Sequence, residues 1–288
     1  MSVLSKPTAE RDSNRKPSHV HHSPTITLTE STTTITPTRR HNITHVVLVA
    51  GFESFNKDLY LKAASQLSTP IHLSVFADTE IRTGAAIGVG GAMEENVTNP
   101  IFTAAVKDAD VFIGSLIFDF DDVLAISKLL PHIHGPRLLF ECATELMTFN
   151  RVGIFTMDAS SKGLGPPPAI KAILSKFSSG KEEDKLAGYI KLLKLGPDLL
   201  KFVPGEKASD LRTWLALYRY WNQGGLSNVS SMFQLIQTVV DISMDPNKDM
   251  SCVIDFDQLP MLQITPDVGL LHPLKPNIYL KSPREYMQ

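Results

Sequence analysis

Apolar residues recur along this chain in two alternating periods. "HVVLVAGF" (45–52) is a β-branched apolar run that reaches a glycine, the pattern of a strand buried on both faces. In "NKDLYLKAASQL" the residues Leu59, Ala63 and Leu67 return on one helical face, with Asn56 placed as N-cap. The alternation then repeats. Ile71–Phe76 reads as a strand and "NPIFTAAVKDA" as a helix, with Pro100 in its first turn, where a missing N–H does no harm. Asp110–Phe118 is a third strand, "DDVLAISKLL" a helix and Arg137–Ala143 a fourth strand. Strands alternating with helices of about ten residues predict an α/β domain over 45–165, doubly wound around a mainly parallel sheet.

After "GPPP" (165–168), read as a hinge, the period becomes helical throughout. "AIKAILSKF", "EDKLAGYIKLLKLG", "PDLLKFV" and "SDLRTWLALYRYW" follow in turn, with Leu186, Ile190 and Leu193, then Leu211, Leu215 and Tyr218, at helical spacing. They predict an α-helical domain over 166–240. Residues 241–288 read as an extended connector, with "DPNKDMSCVIDFDQLP" a loop and "TPDVGLLHPLKP" extended. "SPREYMQ" begins as a helix does, with Ser282 as N-cap, Pro283 at N1 and Glu285 at N3, as the start of a missing following domain would.

Residues 1–44 are rich in Ser and Thr and offer little to bury, so they are expected to be a disordered tail. The same composition fits an organelle transit peptide, although Glu10, Asp12 and Glu30 are more acidic than such segments usually carry. His19, His21 and His22 in this tail lack any orienting partner for a metal. A net charge of -2 gives no basis for a nucleic-acid partner. Two cysteines, Cys142 and Cys252, exclude a disulfide framework or a thiolate metal cage. No apolar run approaches the roughly 20 residues of a membrane span.

Candidate chemistry is sparse. Gly88, Gly90 and Gly91 follow the second strand, whereas a dinucleotide fingerprint follows the first, and no Walker lysine accompanies them. Asp119, Asp121 and Asp122 lie past the third strand, where they either hold Mg²⁺ through water or, more simply, cap the next helix. Glu141, Cys142 and Glu145 follow the fourth strand, and Cys142 has no nearby base, which favours a structural thiol. His132 and His134 make an incomplete metal site, and His272 suits bracing a loop. No nucleophile elbow is present. In "YRYWNQGGLSNVSSMF" (218–233), Tyr218, Tyr220 and Trp221 end a helix, Gly224 and Gly225 free the turn, and Ser227 or Asn228 caps the next helix. By itself this is a packing corner. Asn222 and Gln223 are its two members that packing does not require.

"SLIF", "KLLKLGPDLLKFVPGEKASDLRTWLALYRYWNQGGLSNVSSMF" and "TPDVGLLHPLKPNIYLKSPREY" resemble the amino-terminal region of the magnesium chelatase large subunit, which is related to the cobaltochelatase large subunit. The likeness covers roughly 45–288. It implies a ligase subunit that holds protoporphyrin IX while Mg²⁺ is inserted in chlorophyll biosynthesis, alongside AAA+ subunits that hydrolyse ATP. It implies a chloroplast setting, in the stroma or at a membrane surface; without a transit peptide the setting would be cytoplasmic. Members of the family are far longer, and no metal-handling or proton-accepting position is matched here. The expectation is therefore a truncated, non-catalytic part of such a subunit that contributes to porphyrin binding or to assembly with the AAA+ subunits or an intact large subunit. Tyr218, Trp221, Asn222 and Gln223 are its candidate contacts, and no cofactor is assigned to the chain itself. The alternative is a stand-alone α/β ligand-binding or regulatory module.

Overall fold

The computed structural model describes residues 43–83, 86–87, 93–94, 97–158, 200, 203–245, 254–264, 270–272, 275–280 and 282–287, all within one compact unit, Thr36–Gln288. The tail to residue 42, the three histidines in it, the glycine cluster at 88–91, the hinge at 165–168, Cys252 and the helical stretches expected over 169–199 lie outside the described residues.

Six strands form the main sheet: β1 (Thr44–Ala50), β2 (Ile71–Ala77), β3 (Val111–Ser115), β4 (Arg137–Phe140), β5 (Arg151–Val152) and β6 (Phe155–Thr156). Their order is β6-β5-β4-β3-β1-β2. The pairs β1–β2, β1–β3 and β3–β4 are parallel, and β5 and β6 add an antiparallel edge. β3 stops at Ser115 and β4 at Phe140, three residues before their apolar runs end, because Leu116 and Glu141 turn into the left-handed region at φ 53° and 51°.

Residues of β1 alternate between two cores. Val46, Leu48 and Ala50 face one, and Val47 and Val49 face the other. The second core is closed by α2 (Pro100–Lys107) and α3 (Phe120–Leu129), through Phe102, Val106, Val123 and Ile126. Asn99 caps α2, accepting from the Ile101 N–H at 2.9 Å, with Pro100 in the first turn as expected. Asn56, by contrast, makes no side-chain cap for α1 (Lys57–Ser65), since a 3₁₀ turn over Ser54–Asn56 leads directly into that helix. A short α4 (Thr144–Met147) follows β4.

The first core holds α1 together with α5 (Glu206–Gln223) and α6 (Gly225–Ser243). The expected boundary near 165 is not described, but the helices after it share the sheet's core. Gln237 of α6 donates to Thr69 O at 2.9 Å, and Ser230 donates to Ala63 O at 3.4 Å. α6 begins at Gly225, so neither Ser227 nor Asn228 caps it. Asn228 is instead buried, donating to Gly224 O and Gln263 O at 2.8 Å each and accepting from the Gln263 N–H at 2.9 Å. Residues 270–272, expected to be extended, pair with Lys275–Leu280 as an antiparallel hairpin, β7 and β8. The final α7 (Pro283–Tyr286) is capped by Ser282 as its sequence requires.

Asn150 fastens α5 to the sheet. Fully buried, it accepts from the Leu139 N–H at 2.8 Å and the Trp214 Nε1–H at 2.9 Å, and it donates to Leu139 O at 2.9 Å. Replacing it by alanine strands three buried polar groups, each worth about 1–3 kcal/mol. Asn150→Ala is expected to lower stability by at least about 3 kcal/mol in urea unfolding. A loss below about 1 kcal/mol would mean that those groups find other partners.

Candidate functional site

β2 and β3 flank β1 on opposite sides, so the connections leaving β1 and β3 diverge; this is the switch point at which open α/β sheets form a crevice beyond the carboxyl ends of their strands. Open α/β sheets take ligands at such a point. Gly51 makes the close approach there. A Cβ on it would stand 2.1 Å from Leu116 O, and its N–H donates to Ser115 O at 2.9 Å.

Glu53 leans back over this crevice. The hydroxyls of Ser115 and Tyr60 lie against its carboxyl, and its Oε1 is buried without a hydrogen-bond partner. Burial, and then the nearby charge of Glu141, push the Glu53 carboxyl above the usual glutamate range. Burial likewise raises the Tyr60 phenol, with the Glu53 charge second. Ser115 accepts from the Trp221 Nε1–H at 3.0 Å, which leaves its own proton to give to Glu53. Glu141 accepts from the Tyr218 hydroxyl at 2.5 Å and from Asn222 Nδ2 at 3.4 Å. The crevice is thus floored by two carboxyls, one held by donors and one with an oxygen left unsatisfied.

Three of the four residues singled out in the sequence therefore converge here. Their rings do not line a free surface. Tyr218 is 0% and Trp221 9% exposed, and both are stacked inside the core. Tyr218 lies 5.0 Å from Phe140 at an interplanar angle of 12°, and Trp221 lies 5.2 Å from Tyr60 at 24°. Asn222 is exposed beside Glu141. Gln223, the last residue of α5, is half-buried. Sequence reasoning missed Glu53, Ser115 and Tyr60, whose only signal was their position after β1 and β3 and one turn into α1. Around them stand four exposed phenylalanines, also unforeseen: Phe52 (71%), Phe55 (82%), Phe118 (51%) and Phe120 (71%). Phe52 and Phe118 stack at 6.0 Å.

The other candidates resolve into structural roles. Asp119 caps α3, accepting from the N–H groups of Asp121 and Asp122 at 3.0 and 3.2 Å. Arg82 then grips all three acids, through Nε to Asp122 at 2.5 Å, Nη1 to Asp121 at 3.2 Å and Nη2 to Asp119 at 2.9 Å. Cys142 is buried, donates to Phe140 O at 3.4 Å and has its thiol pushed up to about 12, chiefly by burial. His132 ends a 3₁₀ turn rather than lying on a strand, and both it and His134 are exposed. Among the described residues no group of three or more His, Cys, Asp or Glu could hold a metal ion, and no helix is long and apolar enough to cross a membrane.

Residues 45–215 match a family described as a domain of unknown function, DUF3479. The chain belongs to this family. It is also similar to a magnesium-chelatase subunit of Chlorobaculum parvum, 27% identical over 237 residues, covering 82% of this chain and 16% of the relative. Magnesium-chelatase subunit ChlH, chloroplastic, of Oryza sativa subsp. indica is 28% identical over 239 residues, covering 80% of this chain and 16% of the relative. The japonica protein matches to the same extent. The chain thus spans about a sixth of the length of the curated relatives it matches.

The Glu53 environment predicts a pH dependence. A carboxyl whose folded value is raised keeps its proton in the folded state where the unfolded chain has lost it. Its contribution to stability is therefore complete below the ordinary value of 4.5 and declines as the pH rises above it. Glu53→Gln removes the titration, so its melting temperature relative to the parent is expected to climb between about pH 4 and pH 8. A difference that stays flat with pH would show Glu53 titrating as it does in water.

Proposed function

We propose that this chain is a non-catalytic module of the magnesium-chelatase large-subunit kind, and that its role is assembly with the larger machinery that inserts the metal. The observation that carries this reading is the rim of Phe52, Phe55, Phe118 and Phe120, exposed around the carboxyl edge. A concentrated apolar patch on a soluble surface marks an interaction site. The matched region is only 16% of each relative, and the unmatched bulk of such a subunit is the surface proposed to cover the rim. Asn222 and Glu141 supply the polar border of that contact. Tyr218 and Trp221 serve it from below, as supports rather than as stacking faces for a tetrapyrrole. Protoporphyrin IX, Mg²⁺ and ATP then belong to the full complex, with its AAA+ subunits. A plastid setting is proposed on the chloroplastic rice relatives and the Ser/Thr-rich tail.

A second reading, a stand-alone ligand-binding module, is favoured by one observation, the unsatisfied buried oxygen of Glu53 in the crevice. The two separate in a binding experiment. The chain is mixed with a large subunit lacking its own matched region, and complex formation is followed by size-exclusion chromatography. The parent chain is expected to co-elute. Phe52→Ser with Phe118→Ser, which leaves the core untouched, is expected to weaken binding at least about tenfold. Supplied with protoporphyrin IX, Mg²⁺ and ATP but no other subunit, the chain is expected to produce no metallated tetrapyrrole. Equal binding by the double variant, or metallation by the chain unaided, would overturn the proposal.

A further inference from the structure

A cavity of about 670 Å³ opens at the amino end of β4, away from the carboxyl edge. Its walls carry two arginines, Arg137 and Arg151, which are direct register partners across β4 and β5. Like charges facing each other on adjacent strands repel. Neither is neutralised: among the described residues neither takes part in an ion pair, and their hydrogen bonds go to carbonyls, Arg137 Nη1 to Leu130 O at 3.2 Å and Arg151 Nε to Gly153 O at 3.4 Å. Arg137 Nε is buried with no hydrogen-bond partner. Burial, and then the charge of Arg151, hold the Arg137 guanidinium below its usual value, so the folded chain bears a cost there that a bound anion would relieve.

The remaining lining fits the same chemistry. Thr156 Oγ1 accepts from the Asp158 N–H at 3.2 Å, which leaves the hydroxyl proton to donate into the cavity. Asp158 is the single carboxylate in the lining, against two guanidiniums. Phe149 and Ile154 give an apolar wall. A cavity of this size suits a small organic molecule, and a pair of guanidiniums suits a planar or tetrahedral oxyanion bound through several N–H groups.

We propose that this cavity is a binding site for a doubly charged oxyanion, a phosphate or a dicarboxylate, gripped between Arg137 and Arg151 with the Thr156 hydroxyl as a further donor. The site is independent of the phenylalanine rim and goes beyond the assembly role.

Thermal unfolding of the whole chain tests it, with inorganic phosphate, succinate and sodium chloride compared at matched ionic strength. Phosphate or succinate at about 10 mM is expected to raise the melting temperature by about 3 °C over chloride. A response to phosphate alone assigns the site to phosphate-bearing ligands, and a response to succinate alone to dicarboxylates. Arg151 is exposed, so Arg151→Gln should fold. It is expected to melt higher than the parent without added anion, because the repulsion is gone, and to lose the anion-induced rise. Phe52→Ser with Phe118→Ser is expected to keep that rise in full. A shift matched by chloride, or one that survives undiminished in Arg151→Gln, would overturn the site.

Discussion

Three polar-tipped aromatic side chains on one face of α5 hydrogen-bond to the sheet or to the loops beside its strands: Trp214 to Asn150, Tyr218 to Glu141 and Trp221 to Ser115. Their spacing of four and then three residues puts them in a row along the helix. Phe140 at the end of β4 sits in the middle of that row, with centroids 6.2, 5.0 and 5.8 Å from the three rings. Sliding the helix by a single turn would keep apolar contact but leave an indole N–H or a phenol buried without an acceptor. An unmet group of that kind costs about 1–3 kcal/mol, more than a typical hydrogen bond contributes when made. Polar tips, rather than apolar area, therefore set the register of α5.

That register dictates the carboxyl edge. Glu141 holds a left-handed backbone, which for a non-glycine residue costs about 1–3 kcal/mol. Hydrogen bonds to a charged group contribute about 1.5–3 kcal/mol each, so the Tyr218 hydroxyl is of the right size to offset the strain. Trp221 acts similarly on the other carboxyl, since by engaging Ser115 it leaves the serine proton aimed at Glu53. The acids of the crevice are thus positioned from α5, whose Trp221 lies 106 residues further along the chain than Ser115. The aspartates at the start of α3 have their own counterion in Arg82, so the unsatisfied acceptor of this edge is the Glu53 Oε1.

The sheet was the most legible feature of the sequence. The starts of β1 to β4 could be placed within a residue from their mainly apolar runs, which are buried throughout in β1 and β3 but only at Val75 in the edge strand β2. The ends of β1, β3 and β4 were placed too late and that of β2 one residue early. At β3 and β4 this is because Leu116 and Glu141 look like ordinary continuations and nothing in a leucine or glutamate announces a positive φ. The caps at Asp119 and Ser282 could be read, being local. The cap expected at Ser227 or Asn228 failed because the helix starts on the double glycine itself, freeing Asn228 for a tertiary contact with Gln263. Arg82 and Glu53 were missed for one shared reason. Their partners lie 40 and 62 residues away in sequence, at Asp122 and Ser115, and only strand order brings them together.

The distribution of aromatic residues bears on what the molecule is for. Phenylalanine has no polar atom to satisfy and ordinarily goes inside, whereas tryptophan and tyrosine are more often left partly at the surface. Around this crevice the usual order is inverted. Tyr60, Tyr218 and Trp221 are inside, each with its polar tip engaged, while Phe52, Phe55, Phe118 and Phe120 stand in water. The buried aromatics make a rigid base that fixes the strand ends, and the phenylalanines are carried on the turns leaving that base. A preorganised apolar rim loses little conformational freedom when it is covered, which is the property of a docking face rather than of an incompletely packed core.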